Sequence, residues 1–234
     1  MASAGGIADV AIVIVGYRNP ADIKECLTAL SRTTGSASFD IFICENGGAA
    51  AYAELIHELT GPDGVCEPAD NTETPRELQS PRLVAMERLR LRTRESNVWL
   101  GCASDNLGYA GGINVWIDRL LHIAGWKGVW ILNPDTEPEP DALTALIECA
   151  EAGGKGMVGS TILEAGEPAH IRFRGGIHWQ RFAARGIAVG LGDRIDAPCH
   201  LPAIESALDC PSGDRKSTRL NSSHGYQSRM PSSA

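Results

Sequence analysis

The apolar positions of this 234-residue chain keep two rhythms that alternate along most of its length. Val10–Val15 is a continuous β-branched run, the pattern of a parallel strand buried on both faces. Asn19 can cap a helix that has Pro20 at its first position. Ile23, Cys26, Leu27 and Leu30 follow at i, i+3, i+4 and i+7 as one buried stripe. Phe39–Cys44 predicts a second strand ending at Glu45-Asn46-Gly47-Gly48, and Ala49–Leu59 predicts a helix. Gly61–Pro81 is polar, proline-bearing and without period, so it reads as a loop or insertion. Pro81–Arg94 stays open: Arg88, Arg90, Arg92 and Arg94 alternate like a strand face, yet the segment is rich in helix formers. Ser96–Gly101 predicts a short strand.

Further on, Ile113, Trp116, Ile117, Leu120, Leu121 and Ala124 form a helical stripe. Gly128–Leu132 predicts a strand, Pro140–Ala150 a helix opened by its proline, and Gly156–Leu163 another strand. The succession β-α-β-α-β-α-β marks an α/β domain with a mainly parallel central sheet. In such sheets ligands bind beyond the carboxyl ends of the strands. Gly16-Tyr17, Glu45-Asn46, Asn106–Gly112 and Asn133–Asp135 all fall at such ends. Pro168–Cys210 breaks the alternation with Gly175-Gly176 and short polar stretches.

A composition that is 43% hydrophobic suits one globular domain with a sizeable core. The net charge is −8, and residues 214–234 contribute +3 of it, leaving −11 for residues 1–213. That excess of acid argues against nucleic acid as the main partner, because phosphate contacts need a basic surface. The 7 cysteines include no Cys-x-x-Cys pair, and Cys26, Cys44 and Cys149 sit in apolar periodic segments as buried thiols. Their odd number and the lack of a signal peptide point to a reducing, cytoplasmic setting. No apolar run approaches the ~18 residues of a membrane span.

Two segments carry the chemistry. Asp105-Asn106-Leu107-Gly108-Tyr109-Ala110-Gly111-Gly112-Ile113-Asn114 is a glycine-dense turn running into an amphipathic helix. Trp130-Ile131-Leu132-Asn133-Pro134-Asp135-Thr136 is an apolar strand that ends on a carboxylate. Glycines let backbone N–H groups approach a phosphate, and a helix start favours negative charge. A carboxylate just past a strand end can hold a hard divalent cation on the same diphosphate. Together with the first strand, these segments resemble the family 2 glycosyltransferases of the GT-A fold, over roughly Val10 to Gly213, close to the rhamnosyltransferase-like branch that builds bacterial surface polysaccharide.

The resemblance implies a donor half over residues 8–163, the start of an acceptor half over 164–213, and a tail at 1–7. It implies a nucleotide-sugar donor held by Tyr17, Glu45, Asn106, Gly108, Gly111, Gly112 and Asn114. It further implies Mg²⁺ or Mn²⁺ at Asp135, with Asn133 in the first slot of the family's Asp-x-Asp motif. The metal would act as a Lewis acid on the leaving nucleoside diphosphate. The acceptor would be a glycan or a lipid-linked glycan, so a place peripheral to the cytoplasmic face of the membrane fits. Glu45 stands where the family usually has an aspartate. Bland alternatives stand beside these roles: Asp135 as a turn cap, Glu45 as a solvated loop carboxylate, Tyr17 as a half-buried strand-end ring and Asn106 as a turn residue. His170, His178 and His200 show no metal-type spacing, and the Arg88–Arg94 cluster reads as a solvated charged face before it reads as an anion site.

Residues 214–234 resemble the in-frame translation of a sequencing adapter, with Gly225-Tyr226-Gln227 at the variable index. Composition alone also permits a natural Ser/Arg-rich tail. On the adapter reading these residues are disordered and the natural sequence stops near Gly213, inside the domain. In the family the catalytic base lies C-terminal to a segment resembling Asp209-Cys210-Pro211-Ser212-Gly213, so no base is named. Transfer by the chain as given is expected near background; otherwise Asp193, Asp196 or Glu205 would have to serve. A sugar-nucleotide nucleotidyltransferase is the second reading, although Gly16-Tyr17-Arg18-Asn19 matches its basic glycine loop poorly. A non-enzymatic nucleotide-sugar-binding fragment is the third.

Overall fold

The computed structural model describes residues 8–69, 75–154, 156–164, 166–174, 177–180, 184–188, 190–196 and 218–222. The expected tail at 1–7, Asp209–Gly213, Glu205, Cys199, Cys210 and His200 lie outside these residues. The chain divides into two compact units. Among the described residues, one takes the chain from Ala8 to Ser31 together with Ser36–Pro134; the other takes Arg32–Gly35 and the chain from Asp135 to Ser222. The division between the two units therefore falls at Pro134/Asp135.

In the first unit, β1 (Val10–Gly16), β2 (Phe39–Glu45), β3 (Cys66–Pro68), β4 (Leu83–Leu91), β5 (Asn97–Ala103) and β6 (Gly128–Leu132) form one sheet in the order β3-β4-β5-β2-β1-β6. β5, β2, β1 and β6 run parallel, while β4 and β3 add an antiparallel edge. The mainly parallel α/β class read from the alternation is the class observed. Crossovers are made by α1 (Pro20–Ser31), α2 (Ala49–Thr60) and α3 (Gly108–Leu120). β1 is buried along its whole length, as its uninterrupted apolar run requires of a central strand covered on both faces. Ala11, Val13, Val15, Phe42, Cys44 and Trp99 cluster with Ile113, Trp116 and Leu120 of α3. Phe42 packs its ring 5.4 Å from that of Trp116 and edge-on to Trp126 at 5.7 Å.

Two local readings are corrected in this unit, and one left open is settled. Gly61–Pro81 is not featureless: Cys66–Pro68 pairs as β3, and Arg76–Leu78 makes a single 3₁₀ turn. Pro81–Arg94 resolves to a strand, because Leu89 and Leu91 turn inward while the arginines between them face out. Those arginines are engaged. Arg88 binds Asn97 and lies over Trp99, Arg90 and Arg92 reach Glu67, and Arg94 lies over Phe39. Asn19 precedes α1, but its side-chain oxygen accepts from the Tyr17 N–H at 2.9 Å rather than from the helix.

The second unit holds β7 (Thr136–Pro138), α4 (Ala142–Gly153), β8 (Ser160–Glu164), β9 (Glu167–Arg174), β10 (Ile177–Gln180), β11 (Arg185–Ala188) and β12 (Thr218–Ser222). β8 does not extend the first sheet, as the simple alternation predicted. It joins a separate four-stranded sheet in the order β7-β12-β8-β9. α4 opens two residues after Pro140 and ends on Gly154 in the left-handed region. β12 differs from the disorder expected for residues 214–234: Thr218–Ser222 pairs with β7 and β8. Ladder pairing uses backbone N–H and C=O groups and needs no apolar period, which is the signal the sequence reading sought. The remaining residues of that stretch lie outside the described ones. Among the described residues no helix is long and apolar enough to cross a membrane.

Candidate functional site

Order β5-β2-β1-β6 makes the chain return across β1 after β5, so β1 and β6 flank the point where the winding reverses. Crevices for ligands open there, beyond the carboxyl ends of the strands. Four loops of the first unit end at that edge: Tyr17–Asn19 after β1, Asn46–Gly48 after β2, Ser104–Leu107 after β5, and Asn133 after β6.

Asn46 ties three of them together. It is 3% exposed; its N–H donates to Gly16 O at 2.9 Å and its Nδ2 donates to Gly108 O at 3.1 Å. The sequence reading named Asn46 at a strand end but gave it no role. A polar residue directly after a strand, buried where an apolar one would be ordinary, was the available signal.

Glu45, the last residue of β2, is 1% exposed and does not behave as a solvated loop carboxylate. Its Oε1 accepts from the Arg18 N–H at 3.1 Å and from the Gly47 N–H at 2.6 Å. Its Oε2 has no hydrogen-bond partner among the described residues. Burial pushes its pKa up, while the two amides and the Arg18 charge pull the other way. Gly16 exists for this side chain: a Cβ there would lie 2.7 Å from Glu45 Oε2 and 2.7 Å from Ile23 Cδ1.

Arg18 has φ of 56°, a left-handed conformation that costs a non-glycine residue about 1 kcal/mol. Its guanidinium carbon lies 5.3 Å from the centre of the half-buried Tyr17 ring.

At the start of α3, Asn106 Oδ1 accepts from the Gly108 N–H at 3.0 Å, and Gly108 has φ of +67°. Asn106 thus closes the turn that leads into α3. The amides of the first helical turn have no acceptor within the helix and leave a partial positive charge facing the crevice end. The glycines that follow divide their work. A Cβ on Gly112 would lie 2.8 Å from Val15 Cγ1 and 3.1 Å from Asn46 Nδ2, so Gly112 serves close packing of α3 on β1. A Cβ on Gly111 would lie 2.8 Å from the Cβ of Leu107, the residue just before α3. Asn114 points outward from the second turn and makes no hydrogen bond to the other members among the described residues.

The two chemistry-bearing segments meet directly. Tyr109 Oη donates to Asn133 Oδ1 at 2.7 Å, a contact the sequence reading missed. Asp135 follows two residues later and belongs to the second unit. Among the described residues no three His, Cys, Asp or Glu side chains gather as a metal cage. Asp135 is one hard oxygen donor of the kind Mg²⁺ or Mn²⁺ takes beside water and phosphate, so the residue type fits, with Asn133 already engaged by Tyr109. Asp196, one of the carboxylates considered as base, takes two hydrogen bonds from Arg194 at 3.0 and 3.1 Å, which hold its pKa below the ordinary value.

No protein-family model matches the sequence, and no curated protein matches it. Solved structures do. The chain is similar to S. aureus TarS residues 1–349 at 11% identity and a TM-score of 0.40, with 67% of this chain and 35% of that one covered. It is similar to the same TarS fragment in complex with UDP-GlcNAc at 10% identity and a TM-score of 0.41, covering 67% and 34%. Against the longer TarS chain the values are 10%, 0.42, 73% and 24%. The chain thus spans about a third or less of the length of these structures.

Proposed function

We propose that the first unit binds a nucleoside-diphosphate sugar at the carboxyl ends of β1, β2, β5 and β6, and that the protein is a GT-A glycosyltransferase of the family 2 type. The observation that carries the reading is the convergence made by Asn46. It draws the end of β1, the end of β2 and the amino end of α3 into one edge, where Arg18 lies over the Tyr17 ring. Such an edge suits a ligand with a flat base and a diphosphate.

On this reading Tyr17 faces the nucleoside, Gly108 and Gly111 let the start of α3 approach the phosphates, and Asn106 shapes that turn. Gly112 and Asn46 hold the helix in place. Asp135 would hold Mg²⁺ or Mn²⁺, and the cation would offset charge on the departing nucleoside diphosphate. The sugar would pass with inversion to a hydroxyl of a glycan or lipid-linked acceptor at the cytoplasmic side of the membrane. No residue is assigned as the base that takes the acceptor proton.

Incubation with labelled sugar nucleotides, with and without glycan acceptors, tests the reaction class. Transfer or slow hydrolysis releasing a nucleoside diphosphate supports it. Formation of sugar nucleotide from nucleoside triphosphate and sugar phosphate would replace it with a nucleotidyltransferase.

A further inference from the structure

Cations of the first unit such as Lys24, Arg90 and Lys127 are ion-paired, to Glu58 at 2.7 Å, Glu67 at 2.6 Å and Asp9 at 2.7 Å. Arg18 is different. Its guanidinium makes no hydrogen bond or ion pair among the described residues, although it is exposed and carries five donors. Its position is nevertheless fixed. The backbone is held left-handed by the hydrogen bond to Glu45 Oε1, and the neighbouring amide of Tyr17 is held by Asn19. The side chain runs across Gly47, where a Cβ would lie 2.6 Å from Arg18 Cγ, and ends over the Tyr17 ring. A strained residue persists only where its surroundings over-determine it, and here they fix an exposed planar cation beside the Tyr17 ring at the carboxyl end of β1.

We infer that Arg18 is the anion-binding side chain of this site, hydrogen-bonding phosphoryl oxygens of a nucleoside diphosphate. Glu45 is its positioning residue and acts on the ligand only through the Arg18 backbone. The inference rests on the proposed nucleotide site and deepens it. It also reassigns Glu45, which the sequence placed among the groups that touch the nucleotide: both amides on Oε1 belong to its own loops, and Oε2 is turned toward Gly16.

Arg18→Gly separates binding from folding, because glycine adopts a φ near +56° freely. Calorimetric titration with UDP, GDP and dTDP, and with the matching nucleosides, is the assay. Expected are an unchanged or raised Tm, a loss of about 10- to 100-fold in affinity for whichever diphosphate the wild type binds, and unchanged affinity for its nucleoside. Glu45→Gln keeps an acceptor for the two amides and should retain most of the affinity. Glu45→Ala should lose affinity about as Arg18→Gly does, with no added loss in the double variant. Diphosphate affinity within about twofold of wild type in Arg18→Gly overturns the inference while the nucleotide site stands. An equal loss for nucleoside and diphosphate also overturns it, since Arg18 would then read the base. A wild type that binds none of these probes overturns the nucleotide site, and the inference with it.

Discussion

Placing alanine at Gly112 tests how α3 is held over the site. The added methyl would lie 2.8 Å from Val15 Cγ1 and 3.1 Å from Asn46 Nδ2. Comfortable carbon–carbon contact is about 3.5–4.0 Å, so the first gap is short by roughly 0.7 Å. Val15 cannot swing away: it is β-branched, 3% exposed, and on a strand paired on both sides. α3 must therefore lift, which strains the Asn46–Gly108 bond. Overpacking of this kind costs about 1–3 kcal/mol, and the weakened hydrogen bond adds about 1 kcal/mol. Alanine's better helix propensity returns about 1 kcal/mol. The net loss is about 1–3 kcal/mol, or a fall in Tm of about 2–12 °C for a chain of this size. Gly111→Ala is the control. Its methyl would lie 2.8 Å from the Cβ of Leu107, just before α3 and away from β1 and Asn46, so some stability should go here too, but nucleoside-diphosphate binding should weaken by more than folding does. Thermal unfolding by circular dichroism and calorimetric titration read both variants. A Gly112→Ala protein at or above the wild-type Tm would refute the packing argument.

Asn46→Asp removes the Nδ2 donor and sets a carboxylate against Gly108 O, so it should cost about 2–3 kcal/mol at pH 7. Part of that stability should return as pH falls and the introduced carboxyl gains a proton; urea unfolding at pH 5 and pH 7 checks it. Asp9 has its pKa lowered from 3.8 to about 2, first by the Lys127 hydrogen bond and then by those from Ser38. It therefore adds stability above pH 4 that is lost as pH falls through 2. Because Lys127 is 68% exposed, screening holds the term to about 0.5–1 kcal/mol, and Asp9→Asn should flatten stability between pH 4 and 2 by that amount. Asp135→Ala should abolish the effect of Mn²⁺ on nucleoside-diphosphate affinity; unchanged metal dependence in calorimetry would remove Asp135 from the metal site.

What could be read from the sequence was what apolar period alone decides. β1, β2 and β6 are nearly continuous apolar runs and lie within a residue of where that pattern put them. α3 follows its stripe, but starts at Gly108 because an Asn106 turn and a left-handed glycine set the start before the first apolar residue. β3 is three residues with a proline at its end, too short to show a period, and exists because β4 offers an antiparallel edge. At the site, the glycine turn and the Asn133 segment were legible as motifs. Their Tyr109–Asn133 contact spans 24 residues, and the Asn46–Gly108 bond spans 62, so both depend on strand order. Glu45 was legible as a carboxylate at a strand end, but its turn back onto Arg18 and Gly47 depends on how the first two loops lie together.

Hydrogen exchange with and without nucleoside diphosphate is the most direct test of where the ligand binds. The account predicts protection confined to the segments around Tyr17–Asn19, Glu45–Gly48 and Asn106–Gly111, joined by Asn133–Thr136 when Mn²⁺ is present. Protection centred elsewhere, or none at saturating UDP, GDP and dTDP, would contradict it.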